Sequence, residues 1–260
     1  MAGDGSEAPI EAPDAGSTGG AAGVLLLAGS GEFRPPMVSV DRELLRFTPG
    51  APPKVAILPT AAGLETSVSS WIRDGEAHFG ALGCEAYGVR ATDRAGVEDR
   101  EHVAALAAAD LVYLSGGSPG YLVETLRRSA AWEVIVQRWL SGASLAGSSA
   151  GAMAMGEWTL VRREGQIGRM PAFWEPGLGL LPGVGVIPHY DRFGPERTLP
   201  RVEDAPDEMV VLGIDEDTVI LLAGGEARVL GLRTVTVWRE RQPTRFASGD
   251  LIPPELVRFP

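Results

Sequence analysis

The chain is short of cysteine, histidine and lysine. One cysteine, Cys84, in 260 residues leaves no internal disulfide. A lone thiol in Leu82-Gly83-Cys84-Glu85-Ala86 reads as packed sulfur rather than a reactive group, and this usage fits a reducing compartment. There is one lysine, Lys54, and there are three histidines, His78, His102 and His189, so few side chains can serve as a base near neutral pH. No apolar run approaches the roughly 20 residues of a membrane-spanning helix. Residues 1–23 are rich in Gly, Ala, Pro, Ser, Asp and Glu, without the basic start or apolar stretch of a secretory signal. They read as a disordered tail, and the cytoplasm is the expected location. Positive charge is also scarce. Lys and Arg number 23 against 34 Asp and Glu, a net charge of -11, which argues against a nucleic-acid partner and against an anionic membrane surface.

What the chain does have is an alternating pattern. Short apolar runs at 24–28, 54–60, 111–114 and 143–147, with a weaker one at 84–89, have the texture of strands covered on both faces. Amphipathic stretches at 66–82, 103–108, 121–128 and 132–140 lie between them. The expectation is an α/β fold over 24–260, a mostly parallel sheet with helices on both faces. After His189 the texture changes. Close-set strand-like segments at 209–214, 218–222, 226–230 and 234–238, two of them joined by Gly224-Gly225, predict a small β-rich C-terminal element packed on the same domain.

In sheets of this kind, sites form beyond the carboxyl ends of the strands. Gly29-Ser30-Gly31, Gly116-Gly117 and Ser149 all fall there. Ala146-Gly147-Ser148-Ser149-Ala150-Gly151-Ala152 carries the Gly-x-Ser-x-Gly spacing of a nucleophile elbow, with Ser149 at its centre. A serine hydroxyl needs a base within hydrogen-bond reach. His78, inside a predicted helix, and His102, after Asp99-Arg100-Glu101, read as surface residues. His189 follows an apolar run ended by Pro188, a strand-to-loop transition like the one that delivers Ser149. A third group should orient the imidazole. Between Ser149 and His189 the acids are Glu157, Glu164 and Glu175; Glu164 lies in a polar turn, and Asp191 is a rival facing the other side of the chain. The N–H of Ala150 is one oxyanion donor by position, and Gly116-Gly117 can supply the second.

Together these residues resemble the dipeptidase E and cyanophycinase family of serine peptidases, which has a class I glutamine-amidotransferase-like fold. The resemblance spans most of 24–240. It rests on Leu114-Ser115-Gly116-Gly117, Gly147-Ser148-Ser149-Ala150-Gly151-Ala152, Pro188-His189-Tyr190 and Gly213-Ile214-Asp215-Glu216-Asp217-Thr218. It implies Ser149 as nucleophile, His189 as general base, Glu164 as the acid, and Gly117 and Ala150 as oxyanion-hole positions. It also implies small, aspartyl peptides as substrates, with Arg192, Arg197 or Arg201 as the carboxylate's partner, and neither metal nor organic cofactor. Ser118-Pro119 departs from the family's usual loop, and Tyr190 replaces its phenylalanine. An esterase or amidase acting on a non-peptide metabolite, and a non-catalytic binding module on the same fold, remain as alternatives. The assembly, a homodimer included, stays open.

Overall fold

Side-chain alternation along the apolar runs sets up the architecture. The computed structural model describes residues 22–161, 172–257 and 259. Strands β1 (Leu25–Ala28), β2 (Lys54–Leu58), β3 (Glu85–Gly88), β4 (Leu111–Leu114) and β5 (Ser144–Ser148) run parallel in the order β1-β5-β4-β2-β3. Successive side chains point to opposite faces, and both faces are covered. Leu25, Leu27, Leu58, Leu114 and Leu145 enter one core; Leu26, Ala28, Ile57, Tyr113 and Ala146 enter the other. That double burial is why the runs are continuously apolar.

Helices α1 (Val38–Phe47) and α2 (Val68–Ala81) close the second core through Val40, Leu44 and Phe79. Helices α3 (Arg94–Glu98), α4 (Arg100–Ala107), α5 (Pro119–Leu126) and α6 (Ala130–Leu140) close the first, through Val97, Leu106, Leu122 and Ile135. Serines and aspartates start several of these helices by satisfying amide groups that lack a partner in the first turn. Ser129 accepts from the Trp132 N–H at 3.1 Å. Asp99 accepts from Glu101 and His102, and these two bonds hold its carboxyl below the usual range.

The strand-like segments after His189 do form strands, but they are shared between two sheets. β10 (Thr218–Ala223), β11 (Glu226–Gly231) and β14 (Leu251–Ile252) extend the large sheet, with β10 antiparallel to β1, to give eight strands. β9 (Val210–Ile214), β12 (Thr234–Arg239) and β13 (Gln242–Ala247) join β6 (Gly156–Val161), β7 (Phe173–Pro176) and β8 (Leu181–Ile187) in a six-stranded sheet of order β13-β12-β9-β8-β6-β7. The chain therefore crosses from the second sheet to the first between β9 and β10. That crossing matters for the site. Among the described residues no helix is long and apolar enough to cross a membrane.

One expectation needs correcting. His78 lies in α2, as the pattern predicts, but it is not a surface residue: its side chain is 6% exposed. Asp41 of α1 reaches it at 2.7 Å, and with that polar partner the ring can turn inward beside Phe33 and Phe79. His102 is partly exposed, with Nδ1 2.9 Å from the Gly96 carbonyl.

Candidate active site

β5 ends at Ser148, and the six-residue helix α7 (Ala150–Met155) starts one residue later. Ser149 makes the turn alone, with φ 49 and ψ -107, a sparsely populated backbone state for a residue with a side chain. Its surroundings hold it there. The Ser149 N–H donates to Ala28 O at 3.0 Å, and its carbonyl accepts from Met153 N–H at 2.9 Å. The flanking glycines answer to close approach. A Cβ on Gly147 would lie 2.6 Å from the Gly151 carbonyl carbon, and one on Gly151 would lie 2.4 Å from Leu114 O. Behind the turn, Ser148 Oγ donates to buried Glu32 Oε2 at 2.6 Å.

His189 arrives from the end of β8, after Pro188, in the left-handed region at φ 51. Its N–H donates to Gly29 O at 3.3 Å. Consecutive carbonyls at the end of β1, Ala28 and Gly29, thus receive the amides of Ser149 and His189. Two residues 40 apart in sequence are registered by one strand end, and Ser149 Oγ sits 3.0 Å from His189 Nε2.

The carboxylate that meets the other ring nitrogen is Glu216, in the crossing between β9 and β10. Its Oε1 is 3.0 Å from His189 Nδ1. A carboxylate only accepts, so Nδ1 carries the proton and Nε2 accepts from the Ser149 hydroxyl. Glu164, the acid implied by resemblance, lies outside the described residues. Glu216 was in view in the sequence only as part of Gly213-Ile214-Asp215-Glu216-Asp217-Thr218. The available signal was a run of acids, Asp215-Glu216-Asp217, just beyond a buried strand, and it does not tell Glu216 from its two neighbours. Arg192 Nη1 stands 3.9 Å from Glu216 Oε2.

Ser149 and His189 open on a cleft of about 360 Å³ that Gly117 also lines. Gly117 has φ +139, and a Cβ there would sit 2.3 Å from Ala61 O, so the position belongs to glycine. Ala150 is the first residue of α7, where amides have no intrahelical partner. The departure at Ser118-Pro119 has a structural explanation. Ser118 caps α5 by accepting from Tyr121 N–H at 3.4 Å, and Pro119 fills the first helical position. Met153, Leu160, Val161, Ile187 and Phe193 give the cleft apolar walls. Of the three arginines that follow His189, Arg201 on α8 (Pro195–Glu203) lines it. Arg201 lies 4.9 Å from the Phe193 ring centre and donates to Arg197 O at 2.7 Å. Among the described residues no group of three or more His, Cys, Asp or Glu side chains is placed to hold a metal ion.

A strained serine between a parallel strand and a helix, facing a histidine backed by a carboxylate, is the site of an α/β fold built around a nucleophile elbow. Comparison narrows the class. Peptidase family S51 matches residues 24–230, and the chain belongs to that family. It is 33% identical over 171 residues to a cyanophycinase of Synechococcus elongatus, covering 62% of this chain and 52% of that protein. It is 33% identical over 193 residues to a cyanophycinase of Nostoc sp. (strain PCC 7120 / SAG 25.82 / UTEX 2576), covering 70% and 62%. The matched stretch thus spans between half and two thirds of these relatives. The crystal structure of a peptidase from an acI-B1 Actinobacterium superposes with a TM-score of 0.79 at 30% identity, over 89% of this chain and 96% of that one.

Proposed function

We propose that this protein is a serine peptidase that cleaves small peptides through Ser149, His189 and Glu216. The observation that carries the reading is the unbroken chain from Ser149 Oγ to His189 Nε2 at 3.0 Å and from Nδ1 to Glu216 Oε1 at 3.0 Å, opening on the cleft. Ser149 Oγ attacks the scissile carbonyl carbon while Nε2 takes its proton. The carbonyl oxygen becomes an oxyanion facing the N–H groups of Ala150 and Gly117. The tetrahedral adduct collapses, the C–N bond breaks, and Nε2 returns the proton to the leaving amine. Water, deprotonated by the same nitrogen, then attacks the acyl carbon; the C–O bond to Ser149 breaks, Nε2 returns the proton to Ser149 Oγ, and the acid is released. Glu216 holds the tautomer and stabilises the imidazolium of both steps.

An aspartyl residue before the scissile bond is part of the proposal, with Arg201 as its partner: among the described residues it brings a guanidinium to a cleft whose walls are largely apolar. The cytoplasm is the proposed setting, in keeping with the single free Cys84. The test is labelling of the full chain with a fluorophosphonate, followed by a dipeptide panel. Stoichiometric modification of Ser149 is expected, lost in Ser149→Ala and in His189→Ala, together with faster turnover of aspartyl dipeptides than of alanyl ones. Folded protein that never labels would sink the mechanism; labelling with no aspartyl preference would sink the specificity alone.

A further inference from the structure

We propose that Asp191 is a positioning residue that ties the turn carrying the base to the turn carrying the acid. The inference rests on the reading of Ser149, His189 and Glu216 as the machinery. His189 and Glu216 sit on different connections, 27 residues apart, so their hydrogen bond depends on how those two turns are held against each other. Asp191 lies in the short helical turn Tyr190–Arg192 that follows His189. Its Oδ1 accepts the Glu216 N–H at 2.8 Å. Its Oδ2 meets Arg233 Nη1 at 3.2 Å, and its side chain is 15% exposed. Arg233 in turn donates its N–H to Thr218 Oγ1 at 3.0 Å. One carboxylate thus bridges the base turn, the acid turn and the β11–β12 turn.

The remaining contacts brace the same three turns. Tyr190 OH accepts from Trp238 Nε1 at 2.8 Å and anchors the base turn on β12. Burial pushes the Tyr190 hydroxyl above its ordinary value, against the Trp238 bond and Arg245, with Asp215 adding to the rise. Asp215 Oδ2 accepts from Thr234 N–H at 3.1 Å and from Thr234 Oγ1 at 2.7 Å, fixing the residue before the acid. Arg192 faces the other Glu216 oxygen. None of these reaches the Glu216 amide. Asp191 does, and so sets where the carboxylate stands. Misplacing a catalytic group by about 1 Å can cost about 100-fold in rate.

The test separates position from charge. Asp191→Asn and Asp191→Ala are each made in an Arg233→Ala background, so that no guanidinium faces the new amide. Asn keeps the acceptor for the Glu216 N–H and loses the charge; Ala loses both. Two readouts are taken on the full chain: the rate of Ser149 labelling by a fluorophosphonate, and the downfield proton resonance of His189 Nδ1–H, assigned by its loss in His189→Ala. The expected result is about a 10-fold slower labelling in the Ala variant, with the resonance moved upfield or lost, and recovery of both towards the Arg233→Ala parent in the Asn variant. Equal losses in Asn and Ala would assign the effect to charge and overturn the proposal. So would no loss in either. Glu216→Gln in the same background tells the two failures apart. If it too labels like the parent, the triad reading fails along with the tie; if it alone is slow, only the tie fails.

Discussion

His78 and His189 each meet a carboxylate, at 2.7 and 3.0 Å, in regions of opposite character. His189 presents Nδ1 to Glu216 and leaves Nε2 to Ser149, at the edge of a cleft. His78 spends Nε2 on Asp41 and is enclosed by Phe33 and Phe79. Their side-chain exposures, 36% and 6%, decide which can exchange a proton with a substrate. A histidine–carboxylate pair is therefore no catalytic signature in itself. The nitrogen left over, and what that nitrogen faces, make the difference. The buried pair also carries a cost of its own. Burial holds the Asp41 carboxyl above its usual range, against the His78 hydrogen bond and charge, and its Oδ1 has no hydrogen-bond partner among the described residues.

The strongest way to break the comparison is at the open pair. Glu216→Gln is expected to lower turnover of a cleaved peptide by about 1,000- to 10,000-fold, because an amide can hold the wrong imidazole tautomer. Glu164→Gln is expected to lose far less. The reverse ranking in steady-state kinetics would give Glu164 the role of acid. Next in size is Gly117→Ala. Its Cβ would strike Ala61 O at 2.3 Å from a left-handed backbone, and the displaced turn should cost about 100-fold in kcat, the scale of one lost oxyanion donor.

At the buried pair the effect should be on stability. His78→Ala takes away the side chain that hydrogen-bonds Asp41 and is expected to cost about 2–4 kcal/mol in urea unfolding, with unchanged kcat per folded molecule. Its pH dependence has a definite sign. A carboxyl raised on folding contributes stability that is full below its unfolded value of about 4 and is lost as pH rises through the folded one. Removing His78 strips out both lowering causes, so the Asp41 carboxyl should rise further and the penalty should grow as pH climbs above the unfolded value; a flat difference would mean that Asp41 does not couple to His78. The smallest effect concerns Cys84, whose thiol is raised by burial and then by Asp41. Iodoacetamide at pH 8 should alkylate it more slowly than a small free thiol, since only the thiolate reacts, and Asp41→Asn should speed the reaction slightly.

Much of this was legible along the chain because it depends on local requirements. The parallel strands follow from apolar runs buried on both faces. The elbow follows from the Gly-x-Ser-x-Gly spacing, in which a Cβ on Gly147 would meet the Gly151 backbone inside the turn itself, while Gly151 answers to Leu114 of the neighbouring strand. His189 was recognisable by its arrival after a strand and a proline. Glu216 was not, since its place beside His189 depends on a crossing between two sheets that the β9–β12 and β1–β10 pairings create. Nor was the inward turn of His78, which needs α1 to bring Asp41 from 37 residues away. The elbow and the strand pattern were thus determined by the sequence itself, through backbone sterics and hydrophobic period, and His189 was singled out there as the candidate base. Which carboxylate faces Nδ1, and which histidine is sealed from solvent, was decided by tertiary structure, because both depend on distances between segments that covalent order leaves free.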